Sequence, residues 1–299
     1  MLVFRIFAGL GNQLFQYAAG RALAARYGCD FVIDTSDVGS SHRIIGINAF
    51  NITAQEVDPM IAKRLRFKKN LWVRIMKVLT KRDIRRGNPF FIQNLTPDEF
   101  DAIDIDPIHN DYYFEGFYQS ERNFVEYTDV IRAELTLRTP FENAVSEGKN
   151  GDIAKAMADC NSVSMHIRRG DYYATKRNRR NYAIPLADYC HKAMRLIGDR
   201  ITNPKYFVFS DDFNWVRENI KFDNPYEFVE GNDGSKVYCD IVLMSRCCHH
   251  IISNSTFSWW GAWLNPRSDK QVITPFPWSP ASPPQDNVPN EWIKLDYRS

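Results

Sequence analysis

No run of apolar residues in this 299-residue chain reaches the length of a membrane-spanning helix. No basic leader, apolar stretch and cleavage site follow one another at its start. The opening "MLVFRIFAGLGNQLFQYAAG" is apolar, but its glycines, Asn12 and Gln13 interrupt it, and it reads as strand, loop and helix. The six cysteines (29, 160, 190, 239, 247 and 248) are scattered. Their spacing gives neither a zinc pattern nor a disulfide framework, so reduced thiols are expected. "CCHH" at 247–250 brings four metal-type side chains together in sequence, but adjacent side chains diverge on a strand or helix. A Gly-x-Ser-x-Gly elbow and a Walker A loop are both missing. Sequons at Asn51, Asn94 and Asn254 have meaning only in a secreted chain. Net charge is low as well, at +2. Residues 61–86 hold eleven Lys/Arg and one acidic residue, net +10, so the remainder carries −8. One concentrated patch is not the broad basic footprint of a nucleic-acid binder, and no nucleic-acid partner is expected.

What is present describes a globular protein, 44% hydrophobic and 14% aromatic. "LVFRIF", a helix over about Gln13–Tyr27, and "CDFVIDTS" predict a βαβ opening. The stretch 61–86 has apolar residues at helical spacing, and a helix is predicted from Glu121 to Leu135. "TPFENAVSEGKNGD" is polar and rich in turn formers, which places a domain junction there: 1–148 for the first α/β domain and 149–299 for the second. Beyond it "SVSMHIR", "KYFVFSDD" and "QVITPFPW" read as strands alternating with helices, and "YCDIVLMSRCCHHIISNSTFSWWGAWL" as helix, strand, loop and helix.

Three polar clusters follow strands of the second half: His166 to Asp171, Ser210 to Asp212, and Ser253 to Ser258. Ligands of parallel α/β sheets collect at those strand ends. Arg168 and Arg169 offer guanidinium forks suited to phosphate oxygens, or a structural pairing with Asp171. Asp211 and Asp212 suit Mg²⁺, a hydrogen-bonded base or ribose, or a helix cap. Ser255 and Thr256 precede an aromatic helix whose free N–H groups suit a phosphate, or they cap it. Trp259, Trp260 and Trp263 read as core. Lys176, Arg177, Arg179 and Arg180 form a basic loop, either solvated or anion-attracting.

In this order, "FAGLGNQLFQYAAGRALA", "HIRRGDY", "FSDD" and "SNSTFSWWGAWL" resemble the α-1,2-fucosyltransferases of glycosyltransferase family 11. The resemblance runs from residue 3 to about Pro275. It implies a GT-B-like α/β fold of two Rossmann-like domains facing across a cleft. It also implies inverting transfer of L-fucose from GDP-β-L-fucose to the 2-hydroxyl of a terminal galactose, with no metal cofactor required. The first half then faces the acceptor and the second binds GDP-fucose. Arg168 is expected on the diphosphate, with His166, Arg169 and Asp171 around the donor or supporting its loop. Asp171 is expected as base or orienter. Asp211 or Asp212 is expected near the guanosine, Asn254, Ser255 and Thr256 near the phosphates, and Asn12 and Gln13 near the reacting centre. With its first motif at Gly9, the chain resembles the bacterial type, expected in the cytoplasm. Its partners would be GDP-fucose and a galactose-terminated oligosaccharide or lipid-linked glycan, as in O-antigen repeats. Residues 61–86 offer a peripheral contact with the inner membrane face, a solvated face or a partner surface. Two rival readings remain, a related transferase with another donor or linkage and a non-catalytic polyanion-binding module.

Overall fold

A computed structural model describes residues 1–36, 46–66, 90–281 and 287–298. It divides into two compact units, one of residues 1–45 and 52–135 and the other of residues 46–51 and 136–299. The division therefore falls near Leu135 rather than at 148. The interval read as a junction instead folds as helices of the second unit.

In the first unit β1 (Leu2–Arg5), α1 (Leu10–Tyr27) and β2 (Phe31–Asp34) form the predicted βαβ opening. Gly28, left-handed at φ 59°, closes α1 and accepts the conformation that a Cβ would disfavour. After β3 (Gln55–Glu56) and α2 (Pro59–Leu65) come β4 (Phe91–Gln93), α3 (Pro97–Asp101) and β5 (Tyr112–Glu115). The five strands are parallel, ordered β3-β2-β1-β5-β4. Leu2, Phe4, Leu23, Phe100 and Phe114 fill one face. The helix predicted over 121–135 is broken. Ser120 caps a 3₁₀ turn, Phe124 stands at φ −150°, and only Thr128–Glu134 (α4) is α-helical. Most of the basic stretch, from residue 67 onward, lies outside the described residues, so the membrane reading has no structural counterpart here. Arg66 at its start is an internal strut, donating to Asp34 (2.8 Å) and the Tyr113 hydroxyl (2.9 Å).

The second unit begins with α5 (Thr139–Ser146) and α6 (Gly148–Ala158). Pro140 sits in the first turn of α5, where a missing N–H costs nothing. Then come β6 (Asn161–Ile167), α7 (Gly170–Ala174), α8 (Lys176–Tyr182), α9 (Leu186–Gly198), β7 (Pro204–Ser210) and α10 (Phe213–Asn219). They are followed by β8 (Tyr226–Phe228), α11 (Tyr238–Arg246), β9 (His249–Ile251), α12 (Thr256–Leu264), β10 (Val272–Phe276) and β11 (Ile293–Asp296). All six strands are parallel, in the order β11-β10-β9-β6-β7-β8. β6 and β7 are central and nearly all buried, as parallel strands covered on both faces should be. Trp259, Trp260 and Trp263 are core residues, at most 4% exposed. Both halves are thus Rossmann-like α/β units, the GT-B-like class expected from the motifs.

Candidate active site

β6, β7 and β9 are neighbours, so the three polar clusters emerge side by side from one sheet edge. Register does the rest. Ile167 pairs with Ser210, which sets Arg168 across from Asp211 and Arg169 across from Asp212. The Arg168 guanidinium binds Asp211 through Nη1 (2.9 Å) and Asp171 through Nη2 (2.7 Å). Arg169 pairs with Asp212, and its guanidinium lies 5.0 and 5.2 Å from the ring centroids of Tyr173 and Trp215. Burial opposes the charge of Arg168, but Asp211 and then Asp171 outweigh it and hold the group above its ordinary value.

Asp211 also accepts the backbone N–H groups of Arg169 (2.8 Å) and Gly170 (3.2 Å). A Cβ at Gly170 would collide with the same carboxylate. Both carboxylates are engaged by the arginines and remain partly exposed. Asp212 caps α10 by accepting from Trp215 N–H (3.1 Å), so the capping reading describes it, joined to the Arg169 pair. Asp171 is exposed and its side chain is turned to Arg168.

His166 is 6% exposed and meets Ser253 Oγ through Nδ1 at 2.8 Å. Burial, helped by the charge of Arg168, lowers its imidazole to about 3, so it is neutral at physiological pH. It supports the loop after β9. Asn254 is 5% exposed and donates to the Tyr182 carbonyl at 2.9 Å. Tyr172 donates to the Asn254 carbonyl at 3.0 Å and stacks on Tyr182, centroids 5.0 Å apart. Ser255 caps α12 by accepting from Phe257 N–H (3.3 Å), and Thr256 opens that helix half-buried.

The basic loop read at 176–180 is helix α8. Asn178 donates to the Asp171 carbonyl (2.7 Å) and Arg179 Nε to the Tyr173 carbonyl (2.8 Å). These two bonds tie α8 to the arginine loop, one of them through Arg179, while all four basic residues stay exposed.

In the first unit Gln13 is fully buried and donates to the Ala8 carbonyl (3.0 Å), supporting the turn after β1. Asn12 is half-buried and accepts from Gln119 (2.7 Å) at the ligand edge of that sheet. The "CCHH" side chains diverge. His249 accepts from Gln271 N–H (3.1 Å), while His250 sits between Ser164 (2.8 Å) and Asn265 (2.8 Å). Among the described residues no cluster of His, Cys, Asp and Glu could hold a metal ion.

Asp240, in the first turn of α11, escapes sequence reasoning. Burial pushes its carboxyl up to about 7, against the pull of a hydrogen bond from Asn232 (2.8 Å). Asn232 in turn exchanges hydrogen bonds with buried Asn150 (2.8 and 3.1 Å). Because α11 follows β8, it starts on the ligand edge, where a perturbed carboxyl marks a functional candidate. The only sequence signal is one aspartate in the apolar run "YCDIVLMS".

Two parallel α/β units, the second with arginines and a helix N-terminus at one strand edge, have the make-up of the GT-B fold class. The NodZ α-1,6-fucosyltransferase structure soaked with GDP-fucose shares the fold at TM-score 0.55 and 16% identity, over 89% of this chain and 92% of its own. Sequence narrows the class further. The family model of glycosyl transferase family 11 matches residues 59–296, and the chain belongs to that family. An Escherichia coli α-1,2-colitosyltransferase is 28% identical over 302 residues, 99% of each chain. The E. coli O-antigen biosynthesis glycosyltransferase WbnK is 29% identical over 306 residues, 96% of this chain and 98% of its own. Galactoside α-(1,2)-fucosyltransferase 1 of Lagothrix lagotricha is 25% identical over 263 residues, 85% of this chain and 62% of its own length. Among the described residues, no helix is long and apolar enough to cross a membrane.

Proposed function

We propose that this glycosyltransferase moves L-fucose from GDP-β-L-fucose to the 2-hydroxyl of a terminal galactose, with inversion. The observation that carries the transfer reading is the doubly held Arg168 on a loop that His166 and Tyr172 tie to Ser253 and Asn254, just before α12. The galactose 2-hydroxyl oxygen bonds to fucose C1 as the bond from C1 to the β-phosphate oxygen breaks; GDP leaves with the electron pair, and the hydroxyl proton passes to the departing phosphate or to water. The negative charge growing on GDP meets Arg168 and the N–H groups near Ser255 and Thr256. Such preorganised donors are the largest single source of transition-state stabilisation in many enzymes. A guanidinium has more N–H donors than the two ion pairs use, so Arg168 can bind phosphate while Asp171 and Asp211 keep its orientation. Asp171 is then an orienter. Fixed positive charge does the work otherwise given to a divalent cation, so catalysis needs none. In a cytoplasmic bacterial setting the acceptor would be an oligosaccharide or lipid-linked glycan, with membrane contact through residues 61–86.

A second reading has a specific support, the colitosyltransferase relative that matches 99% of the chain. Colitose is L-fucose without its 3-hydroxyl, and a clamp on the diphosphate would not distinguish the two sugars. GDP release should be followed with GDP-fucose, GDP-colitose and GDP-mannose against β-galactosides, and the product linkage read by NMR. An α-1,2-fucosylated product is the expected result. Turnover with GDP-colitose and none with GDP-fucose would overturn the fucose assignment and keep the clamp.

A further inference from the structure

We propose that the C-terminal edge of the first unit's sheet is a pyranose platform on which Phe117 stacks against the terminal galactose of the acceptor. This rests on the transferase reading above and extends it to residues that neither the motifs nor the relatives single out.

Phe117 lies two residues beyond β5 and is 46% exposed. Its ring is tilted by 53° against Phe7, just beyond β1, with centroids 5.1 Å apart. The Arg5 guanidinium lies 5.1 Å from the Phe7 centroid. A solitary exposed ring needs no explanation, but this pair is bordered by ordered polar groups. Glu115 accepts from Arg5 and, at 2.7 Å, from Gln93 Nε2. Gln119 donates to Asn12 at 2.7 Å. A carboxylate, a guanidinium and three side-chain amides therefore stand at the same sheet edge as this aromatic pair, and each amide or carboxylate keeps further hydrogen-bonding capacity for hydroxyls.

The edge is built rigidly. Three of the four described non-glycine residues with positive φ follow its strands: Ala8 (67°) after β1, Asn94 (51°) after β4 and Tyr118 (51°) after β5. Strained backbone of this kind gathers where a surface must hold one shape. Tyr118 is buried against Phe4 (5.5 Å) and Phe100 (5.7 Å). With Tyr118 anchored in the core, its neighbour Phe117 is left on the solvent side.

Sugar chemistry fits the combination. The axial 4-hydroxyl of β-galactose clears one ring face, where the hydrogens on C3, C4 and C5 form an apolar patch. An aromatic ring covers that patch, and polar groups at the rim take the hydroxyls.

The test compares wild type with Phe117→Ala and Phe117→Tyr. In transfer assays Phe117→Ala should raise the KM for methyl β-galactoside about tenfold, as the loss of one aromatic contact implies. Phe117→Tyr should restore it, while the donor KM and the thermal midpoint stay unchanged. Saturation-transfer NMR of methyl β-galactoside, with GDP present, should show signals at H3, H4 and H5 that Phe117→Ala abolishes. An unchanged acceptor KM in Phe117→Ala, or an equal rise in donor KM, overturns the platform. Should wild type transfer from no donor, the transferase reading fails and the NMR arm still decides. Signals abolished by Phe117→Ala support the platform, and signals that persist in the variant or never arise in wild type overturn it.

Discussion

The Asp211 carboxylate closes the loop that carries Arg168. One oxygen accepts the backbone N–H of Arg169 at 2.8 Å, and the other pairs with the Arg168 guanidinium at 2.9 Å. One residue after β7 thus sets both the backbone and the side chain of the loop after β6. In the proposed reaction Arg168 would meet the diphosphate already oriented, which is where preorganised electrostatics gain over water.

Asp211→Asn weakens both halves of this latch. Turnover should fall about tenfold or more, with the far-ultraviolet spectrum unchanged, because the loss is one of positioning. Wild-type turnover would show that the loop is held without Asp211. Gly170→Ala should act in the same direction, since its Cβ collides with that carboxylate.

Asp171 separates orienter from base. As an orienter, Asp171→Asn keeps a hydrogen bond to Arg168 and lowers kcat by about tenfold or less, with an unaltered pH profile. A general base would cost about 10²–10⁴-fold and flatten the acidic limb of that profile. The rate of the asparagine variant from pH 5 to 9 decides between them.

Metal removal is a direct probe of the charge argument. Transfer should persist in EDTA at the wild-type rate. Complete loss, restored by Mg²⁺ or Mn²⁺, would return Asp211 and Asp212 to metal binding and contradict their assignment to the arginines.

Asp240 makes stability depend on pH. Its folded pKa is raised to about 7, above an unfolded value of about 4. Between those values the folded state binds the extra proton, so stability falls as pH rises from about 4 through 7. His166 has the opposite sign. Its folded pKa of about 3 lies below the unfolded value of about 6.5, so its contribution is lost as pH falls. Asp240→Asn should therefore be stabilised relative to wild type, more at pH 8 than at pH 5. Thermal midpoints at the two pH values check it, and an equal difference at both would remove Asp240 as the titrating group.

Much of the fold could be read from residue patterns. β1, α1 and β2 announce themselves through an apolar run, a glycine turn and a second run, and β6, β7 and β9 are apolar strands ending in polar words. The edge strands β3, β4, β8 and β11 have only two to four residues, too few for alternation to show. At 139–158 proline and glycine suggest a turn, but Pro140 opens α5 and Gly148, at φ 56°, joins it to α6. Local propensity does not separate those two uses. The motif residues are legible as a group, and so is the local Arg168–Asp171 pair, whereas the partners across strands are not. That Arg168 meets Asp211 follows from the pairing of Ile167 with Ser210, and register is a tertiary property. Buried Gln13 and Asn254 look like ligand contacts in a motif and serve as loop fasteners in three dimensions.

The most direct test of the central claim is a calorimetric titration of GDP, in EDTA, onto wild type and Arg168→Ala. If Arg168 is the seat of the diphosphate, wild type binds GDP and the variant binds it at least tenfold more weakly, consistent with the loss of charge-assisted hydrogen bonds. Turnover should then fall by about 10²–10³-fold. Equal GDP affinity in the two proteins would contradict the claim and leave Arg168 as a structural partner of Asp211.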